Sequence, residues 1–227
     1  MHSLKPAVAV MAKVPGATAV KSRLHPSLTA EQATELYRCF LLDRLDALTG
    51  LAQIAPAVAF TPPSARARMA ELAPREFRLI AQRGADLGAR LSNLLTGLLR
   101  DGHPGAIAID SDSPTLPMDY VWTMWWRGRA RSRKMPRTSF WGRATTVVTT
   151  SWGCGLPGPR SSKDPVEHGE VLRFTLEKAR RLGLRLHLLP QWFDVDTESD
   201  LRRLHEQMVT AGAGPPRTLA FVRALYR

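Results

Sequence analysis

The sequence predicts an α/β fold: a Rossmann-like, mostly parallel sheet with helices on both faces. Short apolar runs alternate with amphipathic segments along most of the chain, and this alternation is typical of such a sheet. The 227 residues, 44% hydrophobic and 23% charged, fit one globular unit. We expect a single domain over residues 1–210 and a C-terminal tail over 211–227.

The elements of the first half have clear local signals. The apolar, Val-rich run 6–14 predicts a strand that ends before Pro15 and Gly16. Thr29 and Gln32 have the spacing of a capping box, which predicts a helix over 30–49. The elements predicted next are a strand at 55–60, a helix at 65–72, a strand at 77–82, a helix near 84–102 and a strand from 106.

The regular pattern resumes in the last quarter of the chain. Residues 169–183 predict a helix, and residues 184–190 predict a strand. Thr197 and Asp200 form a second capping signal, which predicts a helix that runs to about Met208.

Composition excludes several classes of protein. No apolar run approaches the roughly 20 residues of a membrane helix, and the N-terminal apolar run is too short for a signal peptide. The two cysteines, Cys39 and Cys154, lack the spacing of a zinc site. We therefore expect a cytoplasmic protein without a membrane span.

Basic residues follow the first predicted strand. Ligands of parallel α/β sheets bind beyond the carboxyl ends of the strands, so side chains in such positions are candidates for a site. Lys13, Lys21 and Arg23 lie on the loop after this strand and suit the phosphates of a nucleotide. A solvated basic loop is the alternative.

Acidic residues follow two later strands. Asp110 and Asp112 form a D-x-D pattern, and carboxylates at a strand end suit Mg²⁺ or Mn²⁺ that holds a diphosphate. An ordinary acidic turn is the alternative. Asp194 and Asp196 are a further acidic pair just before a helix, where Asp196 could equally cap that helix.

Four ordered motifs resemble one known family. They are MAKVPGATAVKSRLHP, QRGADLGARL, DSDSPTLP and WFDVDTESDL. Over residues 6–120 and 169 to about 206 the chain is similar to the bacterial glycosyltransferase-like family of the GT-A superfamily, catalogued as domain of unknown function 2064. This family includes proteins called arsenosugar-biosynthesis glycosyltransferases. The resemblance implies a nucleotide-diphosphate-binding sheet, a divalent metal and transfer chemistry on a sugar nucleotide or a nucleoside triphosphate.

The resemblance also implies roles for individual residues. Lys13, Lys21 and Arg23 match the phosphate loop of the family. Asp112 matches the acid of its G-x-D-x-P-T-L motif, whereas Asp110 stands where glycine or asparagine is common. The family's D-V-D motif is matched by Asp194 and Asp196.

These roles predict a metal-dependent glycosyltransferase-like enzyme with Mg²⁺ or Mn²⁺ as cofactor, a sugar nucleotide as donor and a small-molecule acceptor that the sequence does not identify. The enzyme alternative is a nucleotidyltransferase that resembles the guanylyltransferases of cofactor synthesis and releases pyrophosphate from a nucleoside triphosphate.

Residues 121–168 depart from the rest of the chain. They carry nine of the 32 Lys and Arg residues against two acids, a net charge of +7 out of +12, and five of the six tryptophans. A basic nucleic-acid-binding surface is one interpretation. The other is a frame-shifted stretch, since the family motifs GP-x-DGGYYLIGL and IPWST are missing at this place.

Regrouping the codons favours the frame shift. The codons of residues 144–150, read two bases later, permit Asp-Asp-Gly-Gly-Tyr-Tyr, and those of residues 164–168 permit Ile-Pro-Trp-Ser-Thr in the remaining frame. We therefore expect an irregular segment at 121–168, a catalytically impaired chain as written, and no nucleic-acid partner.

Overall fold

The computed structural model describes residues 5–25, 27–121, 144–147 and 192–227. A five-stranded sheet lies at its centre, with strand order β3-β2-β1-β4-β5 and every neighbouring pair parallel. The strands are β1 (Ala7–Lys13), β2 (Ala55–Thr61), β3 (Arg78–Ala81), β4 (Gly105–Asp110) and β5 (Ala144–Val147). The predicted fold class is confirmed.

Helices follow the strands as expected for crossover connections. They are α1 (Ala30–Thr49), α2 (Arg66–Leu72), α3 (Leu87–Arg100), α4 (Glu198–Ala211) and α5 (Pro216–Leu225). Both predicted capping boxes are formed. At the start of α1, the Gln32 amide donates to Thr29 Oγ1 at 3.2 Å, and the Thr29 amide donates to Gln32 Oε1 at 2.9 Å.

The strand β1 is buried on both faces of the sheet, because alternate side chains point to opposite sides. Val8 and Val10 pack with Leu41 and Leu45 of α1. Ala7 and Ala9 pack on the other face against the leucines of α3, which are Leu91, Leu94, Leu95 and Leu98. The small alanines on that face leave room for the α3 leucines.

A third apolar cluster joins the two ends of the described chain. Phe40 of α1 packs with Leu201 and Leu204 of α4 and with Val222 of α5. This cluster holds the segment before α4 against the carboxyl edge of the sheet, where the predicted site lies.

Residues 211–227 are not merely a tail. They include α5, whose first amides are bound by a buried side chain of α1: Asp43 accepts hydrogen bonds from the Arg217 amide at 3.1 Å and from the Thr218 amide at 2.8 Å. Val222 is fully buried. The expected tail is therefore corrected, because these residues bury apolar surface against α1.

The expectation of an irregular segment at 121–168 is wrong for residues 144–147, which form β5 and pair with Gly105–Ala108 of β4. Residues 122–143 and 148–168 lie outside the described residues, and so do the helix predicted at 169–183 and the strand predicted at 184–190. Within the described ranges no helix is long and apolar enough to cross a membrane.

Candidate functional site

A cavity of about 250 Å³ opens at the carboxyl edge of the sheet. The ends of β1, β2 and β4 contribute Lys13, Thr61 and Asp110 to its wall, and α3 contributes Arg90. Five of the seven predicted site residues line this cavity, and Arg23 and Asp194 do not: the five are Lys13, Lys21, Asp110, Asp112 and Asp196. A larger cavity of about 490 Å³, beside α1 and the α4–α5 connection, contains none of them.

Lys21 is held between two carboxylates. Its Nζ lies 2.5 Å from Asp112 Oδ1 and 2.9 Å from Asp196 Oδ1, and its side chain is only 3% exposed. Burial alone would lower the pKa of Lys21, but the two carboxylates outweigh burial and raise it. The ammonium is therefore charged and engaged within the protein.

Asp110 has one oxygen in a turn and one without a partner. Its Oδ1 accepts hydrogen bonds of 3.0 Å from the amides of Asp112 and Ser113. Its Oδ2 is buried and has no hydrogen-bond partner among the described residues. Burial, and after it the charge of Asp112, raises the pKa of Asp110, while Arg44 acts in the opposite direction. A cation at this oxygen would relieve the cost of the buried carboxylate.

Asp194 lies beside the same turn. Ser113 Oγ donates a hydrogen bond to Asp194 Oδ1, and the Val195 amide donates to the Asp112 carbonyl at 3.0 Å. Burial, followed by the charge of Asp110, raises the pKa of Asp194 to about 7. Asp110 and Asp194 are therefore both hydrogen-bonded to Ser113, and we call them the carboxylate pair Asp110 and Asp194.

The two other predicted basic residues are placed differently from Lys21. Lys13 is exposed and lines the cavity. Arg23 is exposed on a short 3₁₀ helix, Ser22–Leu24, and is absent from the wall of that cavity. Lys13 and Lys21 both line the cavity, and Lys13 is the more exposed of the two.

Two residues that sequence reasoning missed support the site from α1. Arg44, only 2% exposed, donates from Nη2 to the Ser113 carbonyl and from Nη1 to the Leu116 carbonyl at 3.3 Å. The Tyr37 hydroxyl accepts from the Lys13 amide at 2.9 Å and lies 2.8 Å from Ser111 Oγ. Both lie in the middle of a helix, where no strand-end pattern marks them.

The carboxylates do not form a complete metal cage. Among the residues that the structure describes, no three His, Cys, Asp or Glu side chains converge as metal ligands. Mg²⁺ is commonly held by one or two carboxylates together with substrate phosphates and water. The pair Asp110 and Asp194 fits that arrangement, since it combines an unpaired buried oxygen with a second carboxylate.

Residues 44–125 match the model of a family described as "Uncharacterized protein conserved in bacteria (DUF2064)". This match confirms the resemblance to the DUF2064 family. The matched residues include β4 and both acids of the D-x-D pattern, Asp110 and Asp112. No curated protein matches the sequence.

A solved structure has a similar fold. It is that of a "putative nucleotide-diphospho-sugar transferase" from Desulfovibrio desulfuricans G20, with a TM-score of 0.75 and 22% sequence identity. The similarity covers 98% of this chain and 97% of that chain. This similarity agrees with the α/β fold predicted from the sequence.

Proposed function

We propose that this chain has a transferase fold and binds a sugar nucleotide, together with Mg²⁺ or Mn²⁺, at the carboxyl edge of the sheet. The observation that carries the proposal is the buried Oδ2 of Asp110, which has no hydrogen-bond partner among the described residues. Ser113 links Asp110 to Asp194, since it donates hydrogen bonds to both carboxylates. A buried carboxylate oxygen without a donor is costly unless a cation binds it. The similarity to a nucleotide-diphospho-sugar transferase supports the same class of ligand.

The chain's own residues would divide the work of binding. Asp110 and Asp194 would hold the divalent cation, and Lys13 would face the diphosphate from the end of β1. Arg90, Leu87 and Leu91 of the α3 region offer both cationic and apolar surface along the cavity for the rest of the nucleotide. When bound, a divalent cation stabilises the charge that develops on a departing diphosphate.

We distinguish the binding of a nucleotide from the transfer of a sugar. The motif GP-x-DGGYY is absent from the chain as written. We therefore expect the printed chain to bind nucleotide but to transfer sugar poorly. For this reason the first experiment measures binding.

The experiment is calorimetric titration of the full chain with UDP and GDP, in MnCl₂ and in EDTA. We expect at least one of the two to bind in Mn²⁺ and to bind at least tenfold more weakly in EDTA, because the carboxylates and the diphosphate otherwise repel each other. Asp110→Asn should weaken binding in Mn²⁺ by a similar factor. Asp101→Asn is the matched control, since Asp101 forms an exposed ion pair with Arg78.

Binding that is equal in Mn²⁺ and EDTA, or equal in Asp110→Asn and wild type, would contradict the proposal. For a chain with the motif restored, the product decides between the two enzyme classes. Release of a nucleoside diphosphate from a sugar nucleotide supports sugar transfer, and release of pyrophosphate from a nucleoside triphosphate supports nucleotidyl transfer.

A further inference from the structure

We propose that Lys21 is the resident cation of the carboxylate pair Asp112 and Asp196, and that it keeps divalent cations off this pair. This inference rests on the proposed function, in which Asp110 and Asp194 would hold the divalent cation. It gives Lys21 a role other than the phosphate contact expected from the sequence, because its ammonium contacts carboxylates of the protein itself.

The contacts of Lys21 are those of a bound counter-ion. Its Nζ lies 2.5 Å from one carboxylate oxygen of Asp112 and 2.9 Å from one of Asp196, so two acids from distant parts of the chain converge on one positive charge. The Phe40 ring centroid lies 5.9 Å from the same Nζ. The ammonium thus occupies the position that a metal ion bridging these two acids would need.

The backbone conformation of Lys21 indicates that specific contacts hold this residue in place. Lys21 has φ of 52° and ψ of 35°, in the left-handed region, and no other non-glycine residue described has a positive φ. A non-glycine residue in this region is strained and persists only where other contacts hold it. The two ion pairs and the burial of the side chain supply such contacts.

The two acids would be open to solvent cations without Lys21. The side chains of Asp112 and Asp196 are 37% and 46% exposed, whereas that of Lys21 is 3% exposed. The Asp110 Oδ2 atom, by contrast, has no hydrogen-bond partner among the described residues. The structure therefore distinguishes the pair Asp112 and Asp196, which shares the Lys21 ammonium, from Asp110 Oδ2, which has no donor among the described residues.

The test is the number of Mn²⁺ ions bound per chain, measured without nucleotide by electron paramagnetic resonance of free Mn²⁺. Lys21→Met should bind one more Mn²⁺ than the wild type, because Asp112 and Asp196 then share no cation. The additional ion should be lost again in Lys21→Met with Asp112→Asn. Lys21→Arg should bind the same number as the wild type. Arg38→Met is the matched control, since it removes an exposed cation from α1 and should add no Mn²⁺.

A second variant keeps the test decisive if Lys21→Met does not fold, as judged by circular dichroism. Asp196→Asn retains the contact of Lys21 with Asp112 and should leave the Mn²⁺ number at the wild-type value. No gain in folded Lys21→Met, or a loss in Asp196→Asn, would overturn the proposal.

The wild-type number tests the proposed function separately. One Mn²⁺ per wild-type chain is expected from Asp110 and Asp194. If the wild type binds none and Lys21→Met binds one, the metal site of the proposed function fails while the assignment of Lys21 is supported.

Discussion

Ser113 Oγ donates a hydrogen bond of 2.5 Å to Asp194 Oδ1, across 81 residues of sequence. The amide of the same serine donates to Asp110 Oδ1 at 3.0 Å. One small residue after β4 therefore bonds to both members of the carboxylate pair. A shift of this turn moves both acids together, and their charges act on each other.

The coupled acids make stability depend on pH. The pKa of Asp194 is raised to about 7 from an ordinary 3.8. The folded state therefore binds the proton more tightly than the unfolded state, and this contribution is present below about pH 4 and lost as the pH rises to about 7. In EDTA, the free energy of unfolding should fall over this range. In Asp194→Asn the fall should be smaller by about 1–2 kcal/mol. Urea unfolding at pH 4, 5.5 and 8 measures the free energy of unfolding of both proteins. Identical pH profiles of the wild type and Asp194→Asn would contradict the raised pKa of Asp194.

Arg44 should be a major contributor to stability. Arg44→Met removes the guanidinium that donates to the buried carbonyls of Ser113 and Leu116, although the Ser113 carbonyl still accepts from the Leu116 amide at 3.1 Å. The expected cost is about 2–4 kcal/mol. Arg38→Met, on the same helix, removes an exposed pair with Glu35 and should change the free energy of unfolding by less than about 0.5 kcal/mol. Equal effects of the two substitutions in urea unfolding would show that the buried contacts are not formed.

The attachment of α5 can be tested with two neighbouring acids of α1. Asp43→Ala removes the acceptor of the Arg217 and Thr218 amides and should cost about 1–3 kcal/mol. Asp46→Ala removes only an exposed contact with Arg217 and should cost less than about 0.5 kcal/mol. Hydrogen exchange of the amides of residues 216–225 supplies a local readout. Faster exchange in Asp43→Ala alone is expected.

Substitution by alanine should change the stability of the protein in opposite directions at Gly84, which precedes α3, and at Gly97, which lies within α3. Gly84 has φ of +136°, and an added Cβ would lie 2.8 Å from Ala89 Cβ and from the Arg90 amide nitrogen. Gly84→Ala should therefore cost more than about 1 kcal/mol. Gly97 lies inside α3 with nothing within 4 Å of an added Cβ, and Gly97→Ala should stabilise the protein by about 0.5–1 kcal/mol. Thermal unfolding of both variants checks the sign.

If the frame shift is a sequencing error, protein from the natural source should differ from the printed chain within residues 121–168. We expect an intact mass other than 25.2 kDa and peptides that contain the DDGGYY and IPWST sequences. Tryptic digestion with mass spectrometry decides this. Recovery of the peptide 138–143, which reads TSFWGR, would establish the printed residues and remove the frame-shift interpretation.

Local signals were sufficient for the first half of the fold. The Val-rich run of β1 and the capping pair Thr29 and Gln32 act on their own neighbours, so the sequence predicts both elements with their bounds nearly correct. The helix α5 was missed, because Pro215 and Pro216 are typical of a loop. The acceptor of its first amides is Asp43, more than 170 residues earlier.

The sequence predicts where the candidate site lies, but it predicts fewer of the contacts within the site. Strand ends of a parallel sheet share an edge, which predicts that Lys21, Asp110 and Asp112 lie close together. The pairing of Lys21 with Asp196 depends on how α4 packs against α1, and no local pattern contains that information. Arg44 was missed for the same reason, since its partners lie about 70 residues away.

The pair of Lys21 and Asp196 spans 175 residues, and this span dictates when the site can form during synthesis. A ribosome adding about 5–20 residues per second needs on the order of 10 seconds or more to pass from one residue to the other. During that interval β1, β2, β3 and β4 can already associate, while Lys21 has only Asp112 as a partner. A nascent chain can therefore form the ion pair of Lys21 with Asp112 several seconds before the ion pair of Lys21 with Asp196. The site is complete only when the final helices have been translated.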